Sequence, residues 1–77
     1  MADTLRSLIA SVMGVDVQEI GDDAGESTVA TWDSMRQLML ASVLESEYGF
    51  TLTMVELQRL KSLVEVRAIL AAHGVAG

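Results

Sequence analysis

A chain of 77 residues with no cysteine and one histidine makes a single domain, residues 1–77, with a small core and neither a disulfide framework nor a Cys/His zinc site. A formal net charge of −6 argues against nucleic acid and anionic membrane as partners, since both need clustered Lys and Arg, and suits a basic partner surface. Half the residues are apolar, mainly Leu, Val, Ala and Met, and the only aromatics are Trp32, Tyr48 and Phe50, a composition that favours helices.

Leu5, Leu8, Ile9 and Val12 fall at i, i+3, i+4 and i+7, one face of a helix expected over about residues 4–13, with Asp3 or Thr4 as cap and Gly14 as stop. Residues 15–33 form a long connection around Gly21-Asp22-Asp23-Ala24-Gly25, with Val15, Val17, Ile20 and Val29 available to pin it to the core. A second helix runs from Ser34 to about Tyr48 and ends at Gly49. It carries two apolar stripes: Met35, Leu38, Met39 and Ser42 on one side, Leu40, Val43, Leu44 and Tyr48 on another. Such a helix is central in a bundle, or partly a contact surface, or both. Thr53 and Glu56 fit a capping box for a short helix to about Leu60. Ser62 and Glu65 repeat the pattern nine residues later, so a break is expected near Lys61. The last helix turns Leu63, Val66, Ile69 and Leu70 inward and stops at Gly74. The fold class is therefore all-α: three main helices and a short third one, packed as a small four-helix bundle with one long crossover.

Charge is uneven along the chain. Asp3, Asp16, Glu19, Asp22, Asp23, Glu26 and Asp33 precede Ser34 with only Arg6 against them, whereas Glu45, Glu47, Glu56 and Glu65 are balanced by Arg36, Arg59, Lys61 and Arg67. The acidic stretch reads either as a solvated loop or as a steering surface. No basic segment precedes an unbroken apolar stretch at the N-terminus, and no apolar run approaches the roughly 20 residues that cross a bilayer. A cytoplasmic, soluble monomer without membrane insertion is expected, and the start methionine and short tail favour a free-standing chain.

Catalytic constellations are hard to assemble. A serine nucleophile needs a base and an orienting third group, but the one imidazole, His73, reads as an exposed residue at the end of the last helix, where the dipole favours it. Asp22 with Asp23, and Glu45 with Glu47, are spaced too closely to face one another. Gly21–Gly25 lacks the spacing and lysine of a phosphate loop. No enzyme and no metal site are expected. What the chain does offer is Ser34 at the start of an apolar helix, behind Asp33 as N-cap. There the unpartnered N–H groups and the helix dipole stabilise an attached anion.

The segment WDSMRQLMLASVLESEYGF resembles the prosthetic-group site and following helix of acyl carrier proteins. Ser34, Met35, Leu38, Leu40, Leu44, Glu45, Glu47, Tyr48, Gly49 and Phe50 stand where that family places serine, apolar, acidic, aromatic and glycine residues. The likeness continues through LVEVRAIL and back to LRSLIASVMGV, essentially the whole chain. It implies a covalent 4′-phosphopantetheine on Ser34, transferred from coenzyme A by a phosphopantetheinyl transferase with Mg²⁺. The arm supplies the thiol that the chain lacks. It also implies acyl-loading and acyl-transferring or condensing enzymes as further partners, in fatty acid, polyketide or related biosynthesis. The long first connection is a feature of that family too.

Departures from the family pattern shape the expectation. Thr31-Trp32 replaces a glycine and an alanine-like residue before Asp-Ser, and Arg36, Gln37 and Met39 occupy positions usually acidic or small and polar. Changes on a docking face alter partner choice more than fold. The Trp-Asp-Ser form resembles carriers of dedicated pathways. Partner recognition is assigned to Asp33, Met35, Arg36 and Met39. Met35 and Met39 read otherwise as core, and Trp32 either plugs the bundle end or walls the arm. A core with few rings could open to admit an acyl chain. The alternatives are a carrier of aminoacyl or hydroxyacyl units, and a helical protein–protein interaction domain without a prosthetic group.

Overall fold

The computed structural model describes residues 4–75. Four α-helices follow in order: α1, Thr4–Met13; α2, Ser34–Tyr48; α3, Met54–Gln58; and α4, Leu63–Ala72, with a 3-10 turn Val17–Glu19 in the first connection. Asp3, one of the two proposed caps of α1, lies outside the described residues.

Apolar spacing explains what each helix buries. α1 contributes Leu5, Ile9, Ala10, Val12 and Met13, and α4 contributes Leu63, Val66, Ile69 and Leu70. α2 sorts its two stripes: Leu40, Ala41 and Leu44 are buried with Val43 and Tyr48 packed against them, whereas Met35, Leu38, Met39 and Ser42 face outward. No charged or strongly polar residue among the described ones is buried, so the charged groups lie at the surface. No described helix is long and apolar enough to cross a membrane.

Three glycines at positive φ, Gly14 at 70°, Gly49 at 69° and Gly74 at 75°, end α1, α2 and α4, the left-handed geometry expected at C-termini. Thr53 and Glu56 form the full capping box of α3. At α4 only half of the repeated pattern forms: Ser62 Oγ accepts from Glu65 N–H, while the Glu65 carboxylate pairs with Arg59 at 3.1 Å. α3 ends at Gln58, and Leu60 enters the core after the helix has closed.

The first connection is more ordered than its spacing suggested. Asp16 and Glu19 make a capping box for the 3-10 turn, a D-x-x-E signal present in the sequence. Ile20 and Val29 are buried and Val15 packs against the core, but Val17 is 43% exposed. It opens the turn and points away from the core it was expected to pin. Arg6 donates to the Ile20 carbonyl and pairs with Asp22. Farther on, the loop meets the α3–α4 junction: Leu63 N–H donates to Ala24 O at 2.8 Å and Glu26 N–H to Lys61 O at 2.9 Å.

Candidate functional site

Residues 31–37 are fastened to both neighbouring helices. Thr31 Oγ1 donates to Met13 O and Arg36 Nη1 to Val12 O, each at 2.7 Å, so two side chains flanking Ser34 cap carbonyls that α1 leaves open at its end. On the other side, Trp32 Nε1 donates to Leu60 O at 3.0 Å and Gln37 Nε2 to Leu57 O at 2.9 Å. Trp32 is 3% exposed. Of its two readings the plug is the one that holds, with its one polar atom satisfied.

Those two contacts join residue 32 to 60 and 37 to 57, and so hold α3 beside the start of α2. Between them lies an open groove of about 580 Å³. Glu26, Asp33, Ser34 and Lys61 line it together with the apolar Leu38 and Met54. Asp33 is extended, and its Oδ1 accepts from Arg36 N–H at 2.9 Å as N-cap of α2. Ser34 is the first helical residue and is exposed. Its hydroxyl stands where the first-turn N–H groups favour a negative charge.

Of the residues assigned to partner recognition, Met35 is 72% and Met39 48% exposed, and Leu38 beside them is 62% exposed. Arg36 is half-buried, with Nη1 on the Val12 carbonyl. Met54 and Val55 at the start of α3 are exposed as well. The outward stripe of α2 already placed Leu38 with the two methionines, but nothing in the local pattern of α3 distinguished its exposed apolar side chains from core.

His73 is exposed, as its position suggested, but its side chain is not free of contacts. Its side chain is 27% exposed; Nε2 lies 2.9 Å from Glu56 Oε2, and the ring lies 4.6 Å from that of Phe50. The Thr53 N–H bond, and then His73, hold the Glu56 carboxyl below the ordinary glutamate range. None of these residues lines the groove beside Ser34. The imidazole is thus committed to tying α4 to α3.

Residues 3–70 match the family described as the phosphopantetheine attachment site. The chain belongs to the acyl carrier protein family. It is also 39% identical over 61 residues to polyketide-8 synthase acyl carrier protein 2 of Streptomyces avermitilis, covering 79% of this chain and 70% of that one. Carriers of this family bear 4′-phosphopantetheine covalently, and the residues present suit such a group: an exposed hydroxyl at a helix N-terminus with an open groove alongside.

Proposed function

We propose that this carrier holds acyl intermediates as thioesters on a 4′-phosphopantetheine arm attached to Ser34. It presents them to the enzymes of a polyketide, fatty acid or related specialised pathway and catalyses no reaction itself. The carrying observation is the exposed Ser34 hydroxyl as first residue of α2, capped by Asp33 and opening on the α2–α3 groove. Likeness to a polyketide synthase carrier favours the polyketide branch. When bound, the arm supplies the reactive thiol that a chain without cysteine lacks. Asp33 keeps the start of α2 in place and Arg36 fixes it on α1, so Ser34 reaches a phosphopantetheinyl transferase on a firm base. Asp33, Met35, Arg36 and Met39 form the recognition surface in this reading, with Met35 and Met39 giving its exposed area. The protein works as a monomer in the cytoplasm, with acyl-loading and acyl-transferring or condensing enzymes as its other partners.

Intact-mass measurement after incubation with coenzyme A, Mg²⁺ and a broad-specificity phosphopantetheinyl transferase tests the assignment, with Ser34→Ala alongside. The expected result is the gain of one phosphopantetheine by the wild type and none by the variant. No gain with several transferases would transfer the reading to an interaction domain, and a gain in both proteins would move the attachment to another residue.

A further inference from the structure

The cations differ in how they are held. Arg6 pairs with Asp22, Arg36 donates to Val12 O, Arg59 pairs with Glu65, and Arg67 is also engaged. Among the cations of the described residues Lys61 alone has neither a side-chain hydrogen bond nor an ion pair, and it lines the same groove as Ser34. Its backbone is nevertheless fixed: the carbonyl accepts from Glu26 N–H at 2.9 Å and the N–H donates to Arg59 O at 2.8 Å. The preceding residue, Leu60, receives Trp32 Nε1–H. A flexible ammonium thus rises from an anchored base, next to the Leu60 carbonyl held by Trp32, which itself lies two residues before Ser34.

The other charges lining the groove are Glu26 and Asp33. Both oppose a phosphodiester on Ser34, and the α2 N-terminus and Lys61 are what favour one there. Lys61 is suited to the task, because a compact ammonium on a long stem meets phosphate oxygens without needing a fixed fork geometry.

We propose that Lys61 is the counter-charge for the phosphodiester borne by Ser34, a positioning residue that keeps the arm within the α2–α3 groove instead of ranging through solvent. The inference rests on Ser34 being the attachment site. Without Lys61 the charged side chains lining the groove are acidic only, and the anion is expelled from it.

The absence of cysteine makes the arm thiol the one thiol of the modified protein, so it takes a nitroxide maleimide with no further change to the chain. Paramagnetic relaxation of the Leu38, Met54 and Gln58 amides then reads how often the arm occupies the groove. Lys61→Gln is expected to lower that relaxation roughly twofold, the size an exposed ion pair sustains. About 1 M salt, where the Debye length is near 3 Å, should do the same to the wild type. Arg59→Gln should leave it unchanged, and Glu26→Gln should raise it. A mass gain followed by equal relaxation in wild type and Lys61→Gln overturns the role of Lys61 while sparing the carrier assignment. Equal losses in Lys61→Gln and Arg59→Gln overturn it too, since the effect would be general charge. No mass gain at all overturns the carrier assignment itself.

Discussion

Gly25 is required by closeness, not by an unusual backbone angle. A Cβ built there would lie 2.7 Å from the Lys61 carbonyl oxygen and 3.0 Å from Ser62 Cβ, at the point where the first connection crosses the α3–α4 junction. Gly25→Ala reduces the entropy of the unfolded chain, which helps by about 0.4–1 kcal/mol. The overlap with a backbone atom forces the two segments apart and costs about 1–3 kcal/mol. Net destabilisation is expected, visible as a lower urea midpoint with little change in slope. The same separation would pull Lys61 and Leu60 away from Trp32, so residues distant in sequence set the firmness of the Ser34 end. Trp32 shows a similar dependence. Its bulk is legible in the sequence, but the acceptor for its indole N–H, Leu60 O, is 28 residues away and no local rule names it.

Caps govern the elements. Thr53 Oγ1 and the Glu56 carboxylate satisfy each other's backbone N–H groups at α3, a helix of five residues too short to persist on propensity alone. The Thr53 N–H bond and then His73 stabilise the ionised form of Glu56 and lower its pKa. A carboxyl lowered in the folded state contributes in full at pH above its unfolded value and loses that contribution as pH falls through the folded one. The melting-temperature advantage of wild type over Glu56→Gln should therefore shrink as pH falls below the ordinary glutamate range. A difference that grows as pH falls through that range would contradict this account. Two capping signals nine residues apart did reveal the break between α3 and α4. The second half of the α4 signal failed because Glu65 found Arg59 instead of the Ser62 N–H, and an electrostatic competitor of that kind is invisible to a four-residue pattern.

Among the described residues, several acidic side chains are taken up by caps and pairs within the chain. In the first connection Asp16 and Glu19 cap the 3-10 turn, Asp22 meets Arg6, and Asp33 caps α2. On α2, Glu45 accepts from Leu52 N–H at 2.7 Å, and toward the Ser34 end Met35, Leu38 and Met39 form an exposed apolar stripe. Unbranched thioethers make adaptable contacts, and a docking face of this composition gains affinity by burial more than by ion pairing. Changing Met35 and Met39 together to Ser should leave the unfolding free energy within about 0.5 kcal/mol of wild type, as exposed positions do. The KM for phosphopantetheinyl transfer should rise about fivefold or more, the scale of a contact residue worth 1 kcal/mol. Unchanged KM would place the docking surface elsewhere.

Helix boundaries, glycine stops and the Ser34 N-terminus follow from the sequence by itself, because they depend on neighbours within about one helical turn. The same holds for the inward faces of α1 and α4, whose apolar residues recur at helical spacing. Tertiary structure alone decided which stripe of α2 turns outward, since both are apolar and only the positions of the other helices distinguish them. It likewise made Arg36 a cap for α1, brought His73 to Glu56, and set Lys61 beside Ser34 in one groove. Each joins side chains and backbone groups remote along the chain. Their proximity is fixed by packing of the whole core, which local spacing does not encode.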